Sequence, residues 1–136
     1  MALETFVLTD TRWKTVTKTT FSSTHTNNKI LDVTTLVGYV DDSSKVNLVQ
    51  VNWSVASGGF FTLRWGSQGL ACCHLSGNGK FGGSNGMPAF INNQPIAGTS
   101  PGDMRIHNAV ASAGFVVCVF HKVPTIPGVG NAGWSA

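Results

Sequence analysis

Charge is what this sequence has least of. Only 11% of its 136 residues are Asp, Glu, Lys or Arg, against roughly 25% in an ordinary soluble domain. Exposed positions therefore fall to Thr, Ser, Asn, Gln and Gly. Neutral polar groups cost less to bury than charges, and interface centres are depleted in charge, so such a surface suits a protein that packs against neighbours. The sequence also lacks a Lys/Arg run. Its net charge is +3. Arg12, Lys14 and Lys18 share one alternating set, interrupted by Val16, and the other basic residues are scattered. A nucleic-acid interface concentrates basic residues with aromatics between them, so no specific nucleic-acid partner is expected. No apolar run approaches the roughly 18 residues of a membrane helix, so no membrane partner is expected either. The opening residues lack a basic stretch followed by an apolar one and do not read as a secretory signal.

Cysteine is scarce, with three residues. Cys72 and Cys73 are adjacent, and strand alternation sends adjacent side chains to opposite faces. This is no disulfide framework. Free, buried thiols and synthesis in a reducing cytoplasm are the expectation.

Helical periodicity is missing as well, and strand signals take its place. Apolar residues make up 42% of the chain, enough for one domain with its own core. Residues 11–21 have the Thr-rich, aromatic composition of a strand. Asn27-Asn28 reads as a turn. Residues 30–40 form a second β-rich run, with Gly38 read as a bulge. Residues 41–44 are a turn cluster. Residues 45–56 have the clearest period of two, with Val46, Leu48 and Gln50 on one side and Val49, Val51, Trp53 and Val55 on the other. A turn at 57–59 and a return over 60–65, with Phe61, Leu63 and Trp65 on one face, predict a hairpin. Strands are further expected at 69–76, 89–92, 103–108 and 114–123. The last is apolar on both faces and therefore central. The fold class is all-β: a β-sandwich or jelly roll of eight to ten short antiparallel strands.

That domain spans residues 1–123. Residues 124–136 are rich in Pro and Gly, which remove backbone donors and weaken strands. They read as an extended C-terminal arm that still carries Ile126, Val129 and Trp134. Tryptophan supplies large burial at binding hot spots. The candidate protein-interface residues are Trp13 near the N-terminus and Pro124, Ile126, Pro127, Val129 and Trp134 in the arm. Trp53 and Trp65 are expected in the core.

Chemistry-bearing motifs fail for want of context. Gly82-Gly83-Ser84-Asn85-Gly86 fits G-x-S-x-G, but a nucleophile elbow needs a strand before the Ser and a helix after it. Pro88 and a loop follow instead. Gly77, Gly79 and Gly82 fit G-x-G-x-x-G, with no helix to hold a phosphate. Asn52-Trp53-Ser54 is a glycosylation sequon placed mid-strand. His74 adjoins Cys72 and Cys73, and His107 and His121 lie on other strands, but zinc-ligand spacings are absent. The six acids, Asp103 among them, define no paired carboxylates; Asp103 reads as closing a loop. No enzyme, cofactor or metal is expected.

Three segments carry a resemblance: LVQVNWSVASGGFFTLRWG, HLSGNGKF and GDMRIHNAVASAGFVVCVFHKV. They resemble small β-rich structural proteins of tailed bacteriophages, particularly those of marine cyanophages. In these a strand ending in Trp-Gly (Trp65-Gly66) precedes a Leu-Ser-Gly-Asn-Gly turn (75–79). A Gly-Asp turn (Gly102-Asp103) and a closing strand (114–122) follow. The resemblance covers about residues 45–123. It implies a virion component on the capsid surface. Decoration (cement) proteins of this kind clamp adjacent major capsid proteins, often as trimers, and use no catalytic residues. A head fibre, a tail-associated protein and a carbohydrate-binding adhesin stay open, since aromatics such as Trp13 can stack on sugars. A small esterase using Ser84 is the enzymatic alternative.

Overall fold

The structure is a computed structural model and describes residues 3–11, 14–39, 46–56, 58–66, 70–82, 103–108 and 113–122. Nine strands form there: β1 (Leu3–Asp10), β2 (Lys14–Phe21), β3 (His25–Leu31), β4 (Val46–Val55), β5 (Phe60–Trp65), β6 (Leu70–Ser76), β7 (Asn78–Gly82), β8 (Met104–Asn108) and β9 (Gly114–Lys122). They make a five-stranded sheet in the order β1-β2-β9-β4-β7 and a four-stranded sheet in the order β3-β8-β5-β6. Neighbours are antiparallel throughout. With β1 set aside, two four-stranded sheets remain. From β2 to β9 the chain changes sheet at every step except the β5–β6 hairpin. That interleaving is the topology of a jelly roll, and β1 extends one sheet beyond β2.

The core lies between the sheets. Leu48, Val51, Val116, Cys118 and Phe120 from the first sheet meet Phe61, Leu63, Trp65, Met104 and Ile106 from the second, all essentially inaccessible. β9 runs through the middle of the larger sheet, flanked by β2 and β4, as its apolar faces require. The hairpin expected between β4 and β5 does not form, because the two strands belong to opposite sheets. Both carry an apolar inner face, and stacking buries those faces against each other where a hairpin would leave them side by side. A tight turn makes the passage: Gly59 N–H donates to Ala56 O at 2.8 Å, and Gly58 has φ 81°.

Bulges explain the other departures from simple alternation. In β4 the register moves from Leu48↔Phe120 to Gln50↔Val119, leaving Val49 as the extra residue. Val46 and Leu48 before it and Val51 and Val55 after it are therefore all buried, where an unbroken period of two would have split them. In β6 the register moves from Leu63↔Cys73 to Arg64↔Ala71, so Cys72 is extra. Two residues of a bulged strand then oppose one partner. Cys72 and Cys73 do not divide between core and solvent: both are half-buried and both pack against the core. The neighbouring Cys72 thiol holds Cys73 below its ordinary value against the effect of burial, and Cys73 and burial together push Cys72 up.

Asn27 and Asn28 lie within β3, not in a turn. Their local bonding supports an irregular edge: His25 N–H donates to Asn108 Oδ1 at 2.8 Å, and the Asn28 amide meets His25 Nδ1 at 3.0 Å. The strand expected over 30–40 stops at Leu31. Asp32 caps a 3-10 turn, Val33–Thr35, its Oδ1 accepting from the Thr34 N–H and hydroxyl. Gly38, with φ 87°, sits in the bend that follows. The short strand expected over 89–92 lies outside the described residues.

β2 buries threonine where valine would be ordinary. Thr15, Thr17 and Thr19 have no accessible surface. Thr15 donates to Asp10 Oδ1 at 3.1 Å, and Thr19 shares a 2.9 Å bond with Thr5. Thr17 Oγ1 is buried with no hydrogen-bond partner. Thr17→Val keeps the shape and removes an unsatisfied hydroxyl. It should raise folding stability by about 1 kcal/mol, read as an upward shift of the urea midpoint with an unchanged slope.

Candidate binding edge

β1 is the least covered strand of the larger sheet. Among the described residues it pairs only with β2, from Leu3↔Phe21 to Asp10↔Thr15, with a bulge at Leu8. Its inward set includes Thr5 and Val7, opposite Thr19 and Thr17. The facing sheet is one strand shorter, and among the described residues only β3 and the 3-10 turn lie beneath. A cleft of about 200 Å³ opens there. Thr5 and Val7 line one side and Ile30, Leu31, Thr35 and Leu36 the other, with Lys29 and Asp32 completing it.

The edge is apolar on both faces. Phe6, Val7 and Leu8 are 52%, 52% and 57% exposed, and Val37 is 54% exposed. Three consecutive exposed apolar residues are unusual unless they serve a function. An edge strand also offers a row of unpaired backbone groups to another chain. Lysine and proline, two usual protections of such an edge, are absent from β1; the Leu8 bulge is its one visible irregularity.

A buried ion pair holds this edge in place. Lys122 Nζ, with a side chain 2% exposed, donates to Asp10 Oδ1 at 2.8 Å and to the carbonyls of Thr11 and Val37. Asp10 Oδ2 accepts from Val37 N–H at 2.9 Å. The end of β1, the bend after the 3-10 turn and the end of β9 are thereby tied at one point. Burial alone would raise the Asp10 pKa, but the bonds from Lys122, the Val37 amide and Thr15 outweigh it and hold the carboxyl below its ordinary value.

A second tie lies under the cleft. Asp103 is fully buried; its Oδ1 accepts from Val33 N–H at 3.1 Å, and its Oδ2 lies 3.2 Å from Lys29 and 3.7 Å from Arg105. Its backbone carbonyl accepts from Gly66 N–H. Burial pushes its pKa up against those partners. The residue fastens the 3-10 turn to the start of β8.

Trp13, Pro124, Ile126, Pro127, Val129 and Trp134 lie outside the described residues, as do Ser84 and the whole arm over 124–136. Trp65 is in the core at 1% exposure. Trp53 is half-buried, donates to Ser76 O at 2.9 Å and lies flat against Gly79. His74 is engaged by the Thr62 hydroxyl at 2.8 Å. Among the described residues no three His, Cys, Asp or Glu side chains gather around a metal position, and no helix is long and apolar enough to cross a membrane. β1 lies ahead of the first strand expected from sequence, residues 11–21, although Phe6-Val7-Leu8-Thr9 has strand composition in its own right.

A second, more open feature lies on the other sheet. Phe60, 44% exposed, borders a shallow depression of about 370 Å³ with His74, Leu75 and Ser76.

Among the described residues, the fold and this edge define a jelly-roll domain with an exposed apolar margin along β1. No protein-family model, curated protein or solved structure matches the chain.

Proposed function

We propose that this chain is a structural protein of a tailed-phage virion, a decoration (cement) protein that binds the assembled head without catalysis. The observation that carries the reading is the exposed Phe6-Val7-Leu8 run on the unpaired edge of a jelly roll. The sparse surface charge and the phage-like segments in β4–β9 add to it. Jelly rolls also serve as lectin domains, so the topology alone does not choose a function. The partner is the major capsid protein, and the working unit a homo-oligomer, with a trimer favoured. A protein that binds only the assembled shell stabilises it by mass action, and many symmetry-related contacts add avidity.

Two measurements test this. Quantitative mass spectrometry of purified virions should find the chain in near-equal copy number with the major capsid protein; its absence would end the virion reading. In capsid binding, Phe6→Asp or Leu8→Asp should weaken affinity by about 2–4 kcal/mol, the range of an interface hot spot. Both positions are half exposed or more, so the melting temperature should barely move. Unchanged capsid binding by both variants would remove β1 from the interface.

A carbohydrate-binding adhesin is the second reading, favoured by the Phe60 depression, where an exposed aromatic has His74 and Ser76 as polar neighbours. A glycan array whose signal is lost in Phe60→Ala would support it over decoration.

A further inference from the structure

The outer face of the four-stranded sheet carries its polar groups in ordered rows. Phe61, Leu63 and Trp65 of β5 point into the core, so alternation places Phe60, Thr62 and Arg64 outside. Residues paired across neighbouring strands share a face. Register therefore sets Ser76 beside Phe60, and His74 and His107 on either side of Thr62. It sets Arg105 beside Arg64, and Lys29 beside Arg105. Three of the nine Lys and Arg side chains, scattered in the sequence, thus stand in one row across three strands.

The two ends of this face differ. Asp103 serves the Lys29 end of the cationic row, 3.2 Å from Lys29 and 3.7 Å from Arg105. The other end is a side-by-side pair of partly buried guanidinium groups, Arg105 and Arg64. Guanidinium forks match the two oxygens of a carboxylate, and partial burial strengthens the attraction. Four residues along β5, about 13 Å away, Phe60 is 44% exposed and borders the depression with His74 and Ser76. His74 is itself exposed and is held by the Thr62 hydroxyl at 2.8 Å. A ligand matched to this face has an acidic group at one end and a hydroxyl-rich ring with an apolar side at the other. A polyanion would call for cations along its whole length; among the described residues this face has Lys and Arg in one row only.

We propose that the outer face of the β3-β8-β5-β6 sheet binds a short acidic oligosaccharide. A uronic-acid carboxylate sits on Arg64 and Arg105, and a sugar ring further along lies against Phe60. The proposal rests on the carbohydrate reading and deepens it by naming the charged sugar and its anchor. It needs nothing from β1, which belongs to the other sheet.

Isothermal titration of the full-length chain tests it with three probes: xylobiose capped by one glucuronate, the carboxyl methyl ester of that trisaccharide, and triglutamate. The acid should bind roughly 10-fold more tightly than its ester, the worth of one charge-assisted contact, and should weaken as salt rises. Arg64→Gln should remove that advantage and leave the ester unchanged. Phe60→Ala should weaken both trisaccharides alike. Lys80→Gln, which removes the same charge from an exposed position on the other sheet, should change neither. Equal binding of acid and ester, or equal losses in Arg64→Gln and Lys80→Gln, would overturn the anion site and leave the carbohydrate reading standing. Triglutamate binding as tightly as the sugar acid would overturn it in favour of an acidic peptide. Binding of neither trisaccharide would overturn it too, and the Phe60-dependent glycan array then tests the carbohydrate reading by itself. The acid–ester comparison uses the unsubstituted chain, so misfolding of a variant cannot mask the result.

Discussion

Replacing Asp10 by alanine should cost about 3–5 kcal/mol of folding stability, the range for removing one partner of a buried ion pair. The reason is the state in which it leaves Lys122. That ammonium is all but inaccessible, and besides Asp10 it donates to the neutral carbonyls of Thr11 and Val37. Without Asp10 it stays buried and loses the carboxylate it meets at 2.8 Å. Lys122→Met should cost less, because the aliphatic stem is kept and Asp10, 17% exposed at its side chain, can turn toward water. The double variant Asp10→Ala/Lys122→Met should be more stable than Asp10→Ala alone, which is the sign of a coupled pair. Urea unfolding of the three variants decides it; equal losses in Asp10→Ala and the double variant would mean that the ion pair is not the source of the effect.

The same pair sets a direction for pH. The folded-state pKa of Asp10 lies below the ordinary value of 3.8, so the folded state holds its proton less tightly than the unfolded chain. Its contribution is fully present above that ordinary value and is lost as pH falls through the lowered one. Asp32 acts in the same direction, its Thr34 and Lys29 bonds outweighing burial. Asp103 acts oppositely: its raised pKa makes the folded state take up a proton first on acidification, which offsets part of the loss. Asp10→Asn should therefore flatten the acid limb of the stability curve below the ordinary carboxylate value and leave its shape above that value unchanged.

What could be read from sequence was whatever depends on composition and strand periodicity. The all-β class, the central place of β9, and Phe61, Leu63 and Trp65 as one buried face all follow from alternation along single strands. Register does not, because it depends on the partner strand. Val49 and Cys72 look like ordinary members of an alternating run until Phe120–Val119 and Leu63–Arg64 are known to lie opposite. The sheet assignment of β4 and β5 escaped for a related reason: a short glycine turn between two apolar strands serves a hairpin or a passage between sheets, and only the layer that buries the inner faces decides. The binding edge was hidden by the opposite bias. Apolar residues were sought as core or as aromatic anchors, in Trp13 and the arm, whereas Phe6, Val7 and Leu8 are notable for being exposed.

Gly82→Ala should approach the loss of Asp10 in damage, at about 2–5 kcal/mol for left-handed strain of about 1–2 kcal/mol plus overpacking of about 1–3 kcal/mol. Three glycines allow the two terms to be separated. Gly58, Gly77 and Gly82 have φ of 81°, 63° and 89°, all in the region that costs an L-residue energy. A Cβ at Gly58 or Gly77 would meet nothing within 4 Å, whereas at Gly82 it would lie 2.1 Å from the carbonyl oxygen of Val49. That oxygen belongs to the bulged residue of β4 and is backbone, so it cannot swing aside as a side chain could. Gly77→Ala should thus cost only the conformational term, about 1–2 kcal/mol, and the difference between the two variants measures the contact. The bulge at Val49 keeps Val46, Leu48, Val51 and Val55 on the core side together, and β7 can pair alongside it only because Gly82 has no side chain. If Gly82→Ala and Gly77→Ala lose stability equally, β4 can shift away from β7 at little cost, and the bulge is softer than its close contact implies.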